Sequence, residues 1–89
     1  MKTEANVNTI HIHPDDNVAV VTVPVCKGEA LVGIGTEGVS AVTDIPRHHK
    51  VAVRAIAQKM PIVKYGETIA LAKKAIAPGE WVHTHNIIA

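Results

Sequence analysis

Six histidines stand out among the side chains of this sequence that can bind or react. They fall into three close pairs, which are His11 with His13, His48 with His49, and His83 with His85. In an extended strand residues i and i+2 point to the same side, so the first and last pairs can each offer two imidazole nitrogens to one metal ion. A third ligand would have to come from elsewhere in the fold or from a partner. The alternative is that these imidazoles lie on a solvated strand face and bind nothing.

Two lysines, Lys50 and Lys64, interrupt otherwise apolar stretches. A positive charge there can hold a carboxylate substrate, or assist proton transfer if its pKa is lowered. The alternative is ordinary snorkelling, with the apolar stem buried and the ammonium group in water. Tyr65 adds a hydroxyl next to Lys64 at a sharp turn. Asp16 and Asn17 fit a turn, because their short side chains hydrogen-bond the local backbone.

The elements that must position these residues are predicted to be mostly strands. The apolar fraction is 47%, yet the chain has no Phe, one Trp and one Tyr, so its core must be built from Val, Ile, Ala and Leu. Branched side chains suit a pleated surface. Alternation and turn residues predict strands at 9–13, 18–25 and 81–85, a hairpin over 31–45, and strands at 49–57 and 62–64. Helices are the alternatives at 54–59 and 68–76.

One short pattern recurs three times, at residues 25–31, 56–62 and 76–82. Each copy has an aliphatic residue, a small residue, a turn and a return to aliphatic residues. Gly28 and Gly79 occupy the fourth position, which predicts a positive φ there, and Lys59 must tolerate the same geometry in the middle copy. The intervals of 31 and 20 residues are too unequal for a solenoid.

Length and charge bound the class of protein. Eighty-nine residues form one domain with a modest core, and we expect a disordered N-terminal arm at 1–8 followed by one domain at 9–89. Nine basic and eight acidic residues give a net charge of +1, which excludes the footprint of a nucleic-acid binder. No apolar run approaches the roughly 18 residues of a membrane span, and residues 1–8 lack a secretory signal, so we expect a cytoplasmic protein.

Four segments carry a resemblance to a known family. They are residues 13–20 (HPDDNVAV), 45–52 (IPRHHKVA), 63–69 (VKYGETI) and 79–86 (GEWVHTHN). In this order and spacing they resemble the N-terminal SAF-type domain, or separate small subunit, of altronate and galactarate dehydratases, whose patterns run DNVAVA, GHK, KYGE and VHxHN. The resemblance covers residues 9–86. His48 departs from it where the family has Gly, and Ala70 replaces the second residue of an IG pair.

The resemblance implies a compact, irregular β-clip fold, with one or two short helices allowed, and a hydro-lyase that removes water from a hexonate or hexarate to give a 2-keto-3-deoxy acid. It implies a divalent metal, Fe²⁺ or Mg²⁺, shared with a large dehydratase subunit that supplies much of the site; a homo-oligomer is also compatible. The roles carried over by position are acid–base work and carboxylate binding for His49, Lys50, Lys64 and Tyr65, substrate contact for His13, Asp16, Asn17 and Asn86, and metal binding for His83 and His85.

Two other functions compete with this one. A sulfo-lyase acting on sulfolactate is also divided into small and large subunits of this type, and its leaving group is sulfite. The other is a non-catalytic SAF-type module that binds a sugar acid or a partner protein. In every case the small core leaves apolar surface, including Trp81, which we expect to dock onto a larger partner.

Overall fold

Seven short strands form two antiparallel sheets in the computed structural model, which describes residues 7–88. The first sheet has the order β1-β2-β3-β6 and the second the order β4-β5-β7. The strands are β1 Thr9–Ile10, β2 Val18–Val21, β3 Lys50–Ala52, β4 Pro61–Lys64, β5 Glu67–Ala72, β6 Trp81–Val82 and β7 Ile87–Ile88. The prediction of a small, mostly-β domain is confirmed. Residues 7–88 contain no helix, and so none that could cross a membrane.

The central strand β3 is buried on both faces. Ala52 packs into one apolar cluster with residues of β4, β5 and β6, while Val51 packs into a second cluster with Val21, Leu31 and Ile45. β2 is divided in the same way, because Val18 belongs to the first cluster while Ala19 and Val21 belong to the second. The burial of both faces predicted for residues 18–25 is therefore confirmed for Val18–Val21, whereas Val23 is exposed. The strand itself ends earlier than predicted, at Val21.

The helical alternative at 68–76 is wrong, because strand pairing overrides the helix propensity of its alanine-rich sequence. β5 lies between β4 and β7, and Ala70 and Ala72 point inward from it into the first cluster. The alternative helix at 54–59 is also absent. An isolated bridge from Ile56 to Ile76 and a tight turn occupy that stretch instead. In place of the predicted 31–45 hairpin, the structure has an isolated bridge between Ala30 and Ser40.

The recurring turn occurs four times rather than three, at 25–29, 45–49, 56–60 and 76–80. In each copy the N–H of the fifth residue donates to the carbonyl of the second, at 2.9–3.1 Å. The fourth residue has a positive φ in all four, and these residues are Gly28, His48, Lys59 and Gly79. Bridges join Val25 to Ile45 and Ile56 to Ile76. The domain is thus two similar halves offset by 31 residues, which explains the intervals of 31 and 20.

Two asparagine side chains make matching bonds to equivalent positions of the two halves. The Asn8 amide donates to Ala30 and accepts from the N–H of Val32, at 3.0 and 2.7 Å. The Asn17 amide bonds Pro61 and Val63 in the same way, and these two partners lie 31 residues after Ala30 and Val32, although Asn17 itself follows Asn8 by only nine residues. Most of the predicted N-terminal arm, residues 1–6, lies outside the described residues, whereas Asn8 is buried in the fold.

Both His-x-His strands are shorter than predicted. β6 ends at Val82, because the Asn86 side chain accepts the N–H of His83 at 2.9 Å and closes a turn over residues 83–86. β1 ends at Ile10, before the turn that follows His13. The regular strand on which the expected same-side geometry rested is therefore absent at both histidine pairs.

The left-handed turn positions predict an unusual stabilising substitution. Lys59 is exposed at φ 71°, where a side chain is strained, so we expect Lys59→Gly to raise the free energy of unfolding by about 0.5–1 kcal/mol. Gly28→Ala is the matched control. A Cβ at this position meets nothing within 4 Å, so the loss of folding free energy comes from the positive φ alone. It should destabilise by about 1 kcal/mol in urea unfolding. Equal stabilities for Lys59→Gly and the parent would show that this turn carries no strain.

Candidate functional site

The pairing of β6 with β3 brings three of the six histidines around the single tryptophan. Trp81 stands opposite Val51 in this pairing, and the ring of His83 stacks on the indole at 5.3 Å and 9°. The rings of His49 and His85 lie 5.7 and 5.2 Å from the indole, each tilted by about 50°. We call His49, Trp81, His83 and His85 the histidine–tryptophan cluster. The structure therefore brings together three predicted site residues that are up to 36 positions apart, from 49 to 85.

A hydrogen bond inside this cluster fixes the tautomer of His49. The indole Nε1–H of Trp81 donates to His49 Nδ1 at 3.2 Å. An indole nitrogen can only donate, so Nδ1 must carry a lone pair and the neutral ring holds its proton on Nε2. His49 therefore presents an N–H donor from Nε2. The sequence predicts Trp81 only as part of a docking surface; in the structure it is half-buried and packs against the second cluster.

The two lysines interact electrostatically and form a second group, the lysine pair. Lys50 lies in β3 between Val20 and Val82, and Lys64 ends β4. Partial burial, and then the charge of Lys64, lower the pKa of Lys50 below its usual value. Among residues 7–88 no carboxylate comes within 4 Å of either ammonium group. Lys64 instead lies 4.8 Å above the ring centre of Tyr65.

The Tyr65 hairpin is held in place by a buried carboxylate. Tyr65 and Gly66 have φ of 57° and 75°, the two positive values of a tight two-residue turn between β4 and β5. Asp16 is 1% exposed, and its carboxylate accepts the N–H of Gly66 at 2.8 Å and that of His13 at 3.1 Å. The His13 ring lies directly over Gly66, where a Cβ would come within 2.9 Å of it.

The electrostatics of Asp16 agree with this anchoring role. Burial raises the pKa of the carboxyl, but hydrogen bonds from three backbone N–H groups and the charge of one imidazole lower it. Together these outweigh burial and hold the pKa below its usual value, so the group is an anion at neutral pH. The N–H groups belong to Gly66, Tyr65 and His13, and the imidazole to His11.

Three of the four residues predicted to contact substrate thus use their side chains inside the protein. Asn86 is fully buried, and its amide bonds His83, the Trp81 carbonyl and Glu80. Asp16 and Asn17 are engaged as described above. In the structure these three side chains position other segments, namely those that carry His13, the Tyr65 hairpin and His83. The fourth residue, His13, is itself exposed.

The metal expected from the resemblance does not fit residues 7–88 by themselves. No three His, Cys, Asp or Glu side chains in this part of the chain converge on one position. His83 and His85 lie in a turn rather than in a strand, and His83 lies flat on the indole. A metal in an assembled enzyme would need further ligands from outside these residues.

Sequence reasoning missed two side chains that the structure makes prominent. Trp81 lies 32 positions from His49, and no sequence signal links them beyond its position two residues before His83. Arg54 bonds the carbonyls of Pro14 and Asp16, and in the sequence it is one polar residue in an alternating stretch. Neither contact can be found without the strand pairing.

The structure is a small two-sheet β domain in which Lys50 of the lysine pair directly follows His49 of the histidine–tryptophan cluster. Residues 7–89 match the altronate/galactarate dehydratase SAF domain, and the chain belongs to this family, as the four motifs indicated. It is 40% identical over 77 residues to altronate dehydratase of Bacillus subtilis and 32% identical over 82 residues to galactarate dehydratase (L-threo-forming) of Escherichia coli. These matches cover 86% and 89% of this chain but 15% of each dehydratase.

A shorter match joins the chain to a different lyase. Over 43 residues it is 40% identical to (2R)-sulfolactate sulfo-lyase subunit alpha of Chromohalobacter salexigens. This covers 48% of the chain and 46% of that subunit.

The Trp81–His49 bond predicts a signal that NMR can follow without ambiguity, because the chain has one tryptophan. In His49→Phe the ring remains but the acceptor is lost, so the indole N–H resonance should move upfield. Its exchange with solvent should become roughly tenfold faster, the factor that corresponds to one ordinary hydrogen bond. His48→Asn removes the neighbouring exposed imidazole, tolerates the positive φ, and should change neither property. An indole signal unaffected by His49→Phe would exclude the bond.

Proposed function

We propose that this chain supplies part of the active site of a sugar-acid dehydratase and works with a larger polypeptide. The proposed reaction removes water from an altronate- or galactarate-type acid and gives a 2-keto-3-deoxy acid. The family and the names of its relatives support this, and a chain that spans 15% of their length supports the need for a larger region.

The lysine pair is the observation that carries the proposal. A charge that is partly out of water and repelled by a second like charge is costly, and the lowered pKa of Lys50 reflects both burial and the charge of Lys64. No carboxylate of residues 7–88 offsets it. A substrate carboxylate placed between Lys50 and Lys64 would do so. The same charges would then stabilise the negative charge that grows on this carboxylate when the neighbouring carbon loses its proton.

The chemistry needs a base, a cation and an acid. A base takes the proton from the carbon next to the carboxylate, and the electron pair moves into that carboxylate to form an enediolate. The hydroxyl on the following carbon then leaves as water after protonation, and the enol rearranges to the keto acid. Because Nδ1 of His49 is engaged by Trp81, this histidine suits the donor side of the reaction, through Nε2–H. We assign the Tyr65 hydroxyl a hydrogen bond to substrate, and the base to the larger region.

The metal remains part of this proposal. Since residues 7–88 do not complete a site, Fe²⁺ or Mg²⁺ would be shared with the larger partner, and His83 and His85 would be the ligands contributed by this chain. Cytoplasmic location and self-association also remain predictions.

Sulfolactate cleavage is the second candidate. It is favoured by the match to a subunit alpha of which this chain covers 46%, a share far larger than its 15% of the dehydratases. The lysine pair would bind the carboxylate in the same way, and sulfite would leave in place of water.

Reconstitution tests the proposal. The chain is co-expressed with the large dehydratase-like protein encoded nearest to it, and altronate, galactarate and sulfolactate are assayed with and without Fe²⁺ or Mg²⁺. We expect activity only when both chains are present, and a loss in kcat/KM of about a hundredfold or more for Lys50→Met, the scale of one lost oxyanion contact.

The matched control is Lys74→Met, which removes an exposed lysine outside the site and should leave activity unchanged. Thermal unfolding separates catalysis from folding, because removing the strained charge of Lys50 should not lower the midpoint. Full activity of the large chain alone would contradict a catalytic role and leave a binding or regulatory module.

A further inference from the structure

A cleft of about 450 Å³ lies between the segment that follows β1 and the loop that carries Ile34. Its walls include His11, Ile12, His13, Ile34 and Arg54. It contains no residue of the lysine pair or of the histidine–tryptophan cluster, and of the predicted site residues it includes only His13. We call it the Arg54 cleft.

Arg54 is held in one orientation without a counter-charge. One terminal nitrogen of its guanidinium donates to the carbonyl of Pro14 at 2.9 Å and to that of Asp16 at 2.7 Å. A guanidinium has five N–H donors, so these bonds orient the group and leave others free. No carboxylate of the described residues lies within 4 Å of it, and the Asp16 carboxylate is occupied by backbone N–H groups.

His11 is fixed beside Arg54 by the same acceptor. Its Nε2 lies 2.8 Å from the Asp16 carbonyl oxygen, and a carbonyl only accepts, so Nε2 carries the proton. The backbone of Gly35 closes against the ring, since a Cβ at this glycine would come within 2.6 Å of Nδ1. The polar end of the cleft is therefore preorganised, which lowers the entropy lost when a ligand binds.

The remaining wall is apolar and exposed. The side chains of Ile34 and Ile12 are 83% and 58% exposed, and Ile34 is the most exposed of the large apolar residues described. A sugar acid would place hydroxyl groups against these methyl groups and lose their hydration. A polypeptide segment with a carboxylate next to an apolar side chain matches both halves of the cleft.

We propose that the Arg54 cleft docks such a segment of the larger dehydratase region, with the carboxylate on Arg54 and the apolar side chain between Ile12 and Ile34. The inference rests on the proposed function, because it takes its partner from the region that makes up most of each related dehydratase. It separates assembly, at this cleft, from chemistry, at the lysine pair.

The test titrates the purified large chain with this chain and measures dehydratase activity at each concentration. We expect Arg54→Met and Ile34→Ser each to raise the concentration for half-maximal activity about tenfold, while turnover at saturation is retained. Assembly should also lose part of its salt dependence in Arg54→Met. Ile34→Ser alters an exposed side chain and keeps the test valid if Arg54→Met unfolds.

The matched control is Leu71→Ser on the outer face of the second sheet, where the leucine is 43% exposed. Parent-like half-saturation in both cleft variants, or weakening in Leu71→Ser alone, would overturn the docking site and leave the proposed function standing. A parent chain that neither binds nor activates the large chain would overturn both.

Discussion

The pairing of β3 with β2 on one side and β6 on the other is the constraint on which the site depends. β3 has three residues, yet it contributes to both apolar clusters and is hydrogen-bonded on both edges. This places Lys50 where the charge of Lys64 acts on it and holds its predecessor, His49, against Trp81. The histidine–tryptophan cluster and the lysine pair are therefore joined at the peptide bond between His49 and Lys50. A shift of β3 by one residue would exchange the faces of every side chain on it.

Strands of two to six residues supply few backbone hydrogen bonds, and side chains make up the difference. Asn8 and Asn17 each bridge two residues of a neighbouring segment, Asn86 closes the last turn, and Asp16 binds the Tyr65 hairpin. Polar residues that resemble a binding site in the sequence thus serve largely as its scaffold. The predicted site residues left to meet a ligand are two lysines, one tyrosine and the imidazoles, a set that suits the anionic substrate we propose.

The sequence predicted what depends on local composition. Residue types alone predict the aliphatic run after Asn17, the turns at Gly28 and Gly79, and the positive φ at Lys59. The family could be recognised from four ordered motifs. The 68–76 segment could not be decided, because its alanine-rich composition suits a helix and only pairing with β4 and β7 makes it a strand. Long-range bonds, such as that from Trp81 to His49, follow from register, which composition does not encode.

The central claim is that the lysine pair receives the substrate carboxylate, and the ionisation of Lys50 tests it most directly. NMR titration of the Lys50 side chain, in the chain assembled with its large partner, would be compared with and without altronate or galactarate. The account predicts a pKa below the usual value in the free protein that rises when substrate binds, because a carboxylate replaces the missing counter-charge. A pKa of Lys50 that does not move at saturating substrate would contradict the claim.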